Sequence, residues 1–109
     1  MNIKHLNEEV INFDNKKEIY EILDDGKVYW TGSRIIRTLM KNISIDESVT
    51  FEDRVLASTV AVKLRDTTED VVEITKSELE LIREAGEKSC HPVLLELFMK
   101  MMDSASLDI

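Results

Sequence analysis

Apolar positions crowd most densely into residues 91–102. At about 3.6 residues per turn, Val93, Leu94, Leu95, Leu97, Phe98, Met99, Met101 and Met102 cover about two-thirds of a helix circumference. Glu96, Lys100 and Asp103 share the strip left for water. Pro92 suits the first turn, where its missing N–H needs no partner. Such a helix must be wrapped by other elements, by another chain, or by both.

The same periodicity predicts three further helices. Thr31-Gly-Ser33 can cap a helix running to about Asn42. Its Ile35, Ile36, Leu39, Met40 and Ile43 gather on one side, with Arg34, Arg37 and Lys41 on the other. Thr50, with Asp53 three residues on, opens a second helix to about Arg65. Phe51, Val55 and Val62 occupy one sector of it and Leu56, Val60 and Leu64 the opposite sector, which predicts a sandwiched, central helix. Thr75-Lys-Ser-Glu78 is a full capping box ahead of Leu79, Ile82, Gly86 and Cys90. Gly86 either admits a neighbouring helix closely or ends its own early.

Before residue 31 the pattern shortens to β-rich runs at 9–14, 18–23 and 27–30, separated by Asn15-Lys-Lys and by Asp24-Asp-Gly26. Asp25-Gly26 is a hairpin signal. A sheet this small needs a helix to lie against. The expected fold is α+β: an N-terminal β-hairpin or three-stranded meander followed by a bundle of about four helices. It forms one domain over 1–109, with a small antiparallel sheet at 8–30, a helical part at 32–103 and a frayed tail at 104–109.

The order of these signals is itself informative. Phe13-Asp-Asn-Lys-Lys-Glu-Ile19 leads to Asp25-Gly-Lys-Val, then Thr31 before Ile35-Ile-Arg-Thr-Leu39. Glu52-Asp-Arg-Val-Leu-Ala57, the run from Val72 to Arg83, and Pro92-Val-Leu follow. This order resembles that of small accessory proteins encoded by tailed bacteriophages. The resemblance covers most of residues 11–102 and rests on caps and core positions. It implies a phage-encoded protein and, resting on no catalytic residues, carries no function with it; the expected setting is the host cytoplasm.

Charge narrows the partners. The net charge is −8, distributed as −2 over residues 1–50 and −6 over 51–109. An acidic chain is repelled by duplex nucleic acid, so groove reading is disfavoured. Mimicry of a nucleic-acid backbone is compatible with the acidity, as is simple solubility. Cys90 is the single cysteine, which precludes an intrachain disulfide and suits a reducing compartment. No signal peptide or membrane-spanning run is apparent.

Catalytic chemistry is not indicated. Cys90 and His91 are adjacent, so their side chains diverge, and nothing marks a third group to orient the base. His5, His91 and Cys90 lack metal-ligand spacing, Asp24-Asp-Gly26 is too short for a calcium loop, and phosphate-cradling glycine motifs are absent. No metal, cofactor or enzymatic activity is expected.

Two surfaces stand out instead. Arg34, Arg37 and Lys41, with Trp30 just before them, form a basic face suited to an acidic protein surface or an anionic ligand. Leu95, Phe98, Met99 and Met102 form an apolar face suited to self-association, and methionines repack easily around partners. The expected function is that of a small interaction protein that occupies or blocks a surface of a host protein. The alternatives are a virion structural protein or assembly chaperone that oligomerises, and a binder of a small anion such as a nucleotide.

Overall fold

The computed structural model describes residues 1–11 and 17–106. Its elements run β1 (Asn2–Ile3), β2 (Tyr20–Leu23), β3 (Gly26–Tyr29), α1 (Gly32–Ser44), α2 (Phe51–Arg65), β4 (Val72–Glu73), α3 (Lys76–Ser89) and α4 (Pro92–Ser106). The architecture is α+β: three short strands precede a four-helix bundle, and a fourth between α2 and α3 pairs antiparallel with the first.

The helix starts follow the caps in the sequence. Thr31 accepts a hydrogen bond from the Arg34 N–H at 3.3 Å, and Thr50 accepts one from the Asp53 N–H at 3.2 Å. At α3 the capping box is reciprocal: Thr75 Oγ1 accepts from the Glu78 N–H at 3.2 Å, and Glu78 Oε1 accepts from the Thr75 N–H at 2.8 Å. Each bond satisfies a donor that the first turn would leave orphaned.

Glu78 has a second role. Its carboxylate is buried and also accepts a hydrogen bond from Lys63 Nζ at 2.8 Å. Burial alone would push this carboxyl up. The bonds from Lys63 and the Thr75 backbone, with the Lys63 charge, outweigh burial and hold it below its ordinary range. One side chain thus starts α3 and fastens it to α2.

Helices α1 and α3 each pack against the other three helices. The expectation that α2 is the central, sandwiched helix is therefore corrected. Ala57, Val60 and Leu64 of α2 enter the core, whereas Phe51 is 72% exposed and Val55 and Val62 stand about half exposed. The apolar sectors are real, but only one of them meets a neighbour.

The last helix is wrapped largely by its own chain. Leu94, Leu97, Phe98, Met101, Met102 and Ala105 are buried. Phe98 and Met102 are thus core residues rather than interface residues, a correction with two causes. Gly86 leaves a slot in α3 into which the Phe98 ring packs, so a β-carbon at 86 would collide with it. Strand β1, too short to announce itself in the sequence, packs on α4 and pairs with β4 in the register Asn2↔Glu73 and Ile3↔Val72. Leu95 and Met99 remain partly exposed.

The expected fraying from residue 104 is also corrected. Helix α4 continues to Ser106, with Ser104 and Ala105 buried. Ser104 Oγ accepts from the Lys4 N–H at 3.0 Å and donates to the Met101 carbonyl at 2.6 Å. Residues 107–109 lie outside the described residues.

At the hairpin, Tyr20 faces Tyr29, Glu21 faces Val28, Ile22 faces Lys27 and Leu23 faces Gly26. Gly26 takes φ +112°, a conformation that side-chain-bearing residues rarely adopt. Of the strand expected at residues 9–14, the described residues form the bridges Glu9↔Thr31 and Ile11↔Glu18, and residues 12–16 lie outside the described residues. Three segments nevertheless meet in a closed ring of backbone bonds. The Val10 N–H donates to Trp30 O (2.8 Å), the Trp30 N–H to Ile19 O (3.0 Å) and the Ile19 N–H to Val10 O (2.9 Å).

Candidate functional site: the hairpin and the cleft at its root

That ring anchors the root of a hairpin whose far end stands clear of the bundle. All four residues of β2 are exposed. Strand alternation puts Tyr20 and Ile22 on one face, and the register adds Tyr29 and Lys27 opposite them. Ile22 is 78% exposed. The tyrosine rings meet edge-to-face with centroids 5.6 Å apart, and Lys27 Nζ lies 4.6 Å from the Tyr20 ring centroid. Two strands cannot cover both of their own faces, so this one is left to solvent.

The opposite face is tied to α1 by Arg34. Its Nη1 donates to the Val28 carbonyl at 3.0 Å and its Nη2 to Glu21 Oε2 at 3.1 Å. The guanidinium carbon lies 4.2 Å from the Trp30 ring centroid. The Arg34 side chain is only 17% exposed. This corrects the expected basic face: Arg34 is a staple between hairpin and helix, not a cation presented to solvent. Arg37 is half-buried, with its Nε lacking a hydrogen-bond partner, and only Lys41 of the three is fully exposed. Trp30 is half-buried against the core. The spacing that aligned Arg34, Arg37 and Lys41 did hold, but one end of that face runs beneath the hairpin.

Between the hairpin root and the bundle lies a cleft of about 360 Å³. Its walls include Ile19 and Trp30 from the hairpin, Ile35 and Leu39 from α1, and Val93 and Leu94 from α4. Thr38 and Asn42 supply polar positions, and Cys90 and His91 lie at one side. Such a volume accommodates one or two apolar side chains, with a few polar groups to orient them.

The Cys90–His91 neighbours hold no reactive pair. Burial pushes the Cys90 thiol up, which keeps it protonated. Its Sγ lies 3.7 Å from the His91 carbonyl, and His91 Nδ1 accepts the Val93 N–H at 3.2 Å. The imidazole thus caps α4. No group of three His, Cys, Asp or Glu placed to hold a metal occurs among the described residues. No helix among them is long and apolar enough to cross a membrane.

Tyr20, Ile22 and Tyr29 do not stand out in the sequence, because apolar residues occur on both faces of the strands and the pattern does not say which face a helix covers. The usable signal was the count of strands. With only two or three available, one of those apolar faces had to remain open. Comparison of this chain with protein-family models, with curated proteins and with solved structures yields no match.

Proposed function

We propose that this protein is a small non-enzymatic interaction protein that occupies a surface of a partner protein, the hairpin and its root cleft being the contact. The observation that carries this reading is the outward face of Tyr20, Ile22 and Tyr29, with an apolar cleft under the opposite face at the hairpin's root. Tyrosines are enriched among residues that dominate binding energy, and a neighbouring cleft takes an anchor from the partner. The staple at Arg34 supports the reading too, since a hairpin held at its root loses less entropy on binding. For a phage-encoded chain the partner would be a host protein and the setting a host cytoplasm. Blocking would then be steric, the contact being made by exposed side chains of the hairpin.

Affinity capture from bacterial host lysate tests this with two baits, the wild type and an Ile22→Glu/Tyr29→Ser variant. The expected result is a partner retained by the first and lost by the second, with unchanged helical circular dichroism. Equal retention by both baits overturns the assignment of the contact.

A further inference from the structure

Strand β2 has a free edge. The Trp30 N–H donates to Ile19 O, and this sets the alternation of the hairpin ladder, so that residues 19, 21 and 23 turn their backbone groups toward the returning strand. Tyr20 and Ile22 therefore aim their N–H and C=O groups the other way, and nothing among the described residues bonds them there. Such a row of unpaired donors and acceptors is a template for one more strand.

The cleft at the hairpin root opens along this edge rather than along β3. Glu21 of β2 and Ile19 just before it line the cleft, and no residue of β3 does. A strand added beside β2 lies about 4.8 Å from it and alternates its side chains between two faces. Those on one face drop toward the cleft, and those on the other lie against Tyr20 and Ile22.

Charge selects the occupant. Residues 18–25 carry four acidic side chains and no basic one. Glu21 is taken by Arg34, whereas Glu18, Asp24 and Asp25 form no ion pair among the described residues. A second copy of this edge, laid in either direction, would set acid beside acid. A segment with Lys or Arg at its ends and apolar residues at alternate positions between them suits both the charge and the cleft.

We infer that β2 takes up an extended segment of the partner protein as an added strand, basic at its ends and apolar at alternate positions. The inference rests on the reading that the hairpin is the contact, and it names what is held there. Backbone hydrogen bonds along Tyr20 and Ile22 attach the segment, and the cleft selects among its side chains.

The probe is the acetylated and amidated peptide Arg-Val-Thr-Val-Thr-Val-Arg, titrated up to about 1 mM, the range of one weakly held strand. Binding is read from amide NMR shifts and from the fluorescence of Trp30, the single tryptophan, which lies in the cleft wall. Saturation should move the Tyr20 and Ile22 amides and slow their exchange. Only every second amide of the peptide faces β2, so N-methylating that set should weaken binding at least about tenfold, while the other set tolerates it. The sensitive set is the threonines for an antiparallel strand and the valines for a parallel one. Glutamate in place of both arginines should also weaken binding about tenfold, and added salt should weaken the basic peptide. Ile22→Pro removes an outward donor while sparing the ladder to β3, and should abolish binding that Ile22→Val retains. Absence of saturable binding, or binding indifferent to N-methylation of either set, overturns the inference. The capture experiment judges the hairpin contact by itself: a partner lost by the Ile22→Glu/Tyr29→Ser bait but kept by Ile22→Pro leaves that contact standing and overturns the added strand.

Discussion

The ring of Phe98 occupies the space in which a side chain at Gly86 would stand. Helices α3 and α4 approach at this point because one residue has no β-carbon and the other fills the gap. Elsewhere in a helix, alanine is preferred to glycine by about 1 kcal/mol. Here the order should reverse. Gly86→Ala is expected to lower stability by about 1–3 kcal/mol in urea denaturation, because the ring must leave its rotamer or the helices must part. A stabilised variant would show that α4 shifts away without penalty.

The shared carboxylate of Glu78 predicts an acid-sensitive joint. Its folded pKa lies below its unfolded value, so its contribution is complete above the unfolded pKa and disappears as pH falls through the folded one. Glu78→Gln should cost about 1–3 kcal/mol near pH 7. The deficit should shrink as pH drops below the ordinary carboxylate range, where the wild type also loses the charge. Stability curves for the two proteins should therefore converge in acid.

Arg34 should govern the hairpin more than the fold. Arg34→Ala removes two hydrogen bonds and the contact with Trp30, while the core face of α1 is untouched. Global stability should fall by only about 1 kcal/mol, since Glu21 is largely solvated. Amide exchange at residues 20–29 should accelerate much more. Arg34→Lys should recover little of this protection, because a compact ammonium has no planar fork to span both acceptors while stacking on the indole.

Ser104 offers the opposite case, a polar group whose loss is felt globally. Ser104→Ala leaves the Lys4 N–H without its acceptor, at a cost of about 1–2 kcal/mol. Ser89→Ala, at an exposed position, should cost under about 0.5 kcal/mol. Chemical denaturation of the two variants side by side checks the contrast.

What was legible in the sequence was local. Thr31, Thr50 and Thr75 start helices because the polar cap and the apolar period after it lie within a few residues of each other. The bounds of α2 followed from the same signals. Its surroundings did not, since Phe51 and Val55 look alike in sequence whether a neighbour covers them or not. Strand β1 is two residues long and too short to show any period, yet it covers part of α4 and so decides the environment of that helix. The candidate site was half legible for a similar reason. Helical spacing aligned Arg34 with Arg37 and Lys41, but it could not show that the hairpin folds back over the first of them. Pairing across elements depends on where loops deliver them, and that information is spread over the whole chain.

The bond from Lys4 to Ser104 spans 100 positions, and β1 finds its partner β4 some 70 residues downstream. During synthesis, residues 2–4 therefore emerge long before their docking sites. The helices can associate through closer contacts before the ends are joined. Closure of β1 onto β4 and α4 should be a late event, forming after the rate-limiting barrier. Ile3→Val would then speed unfolding while leaving the refolding rate almost unchanged, which stopped-flow measurement can read directly. Until that closure, α4 stays uncovered on the β1 side, a patch of apolar surface open to chaperones.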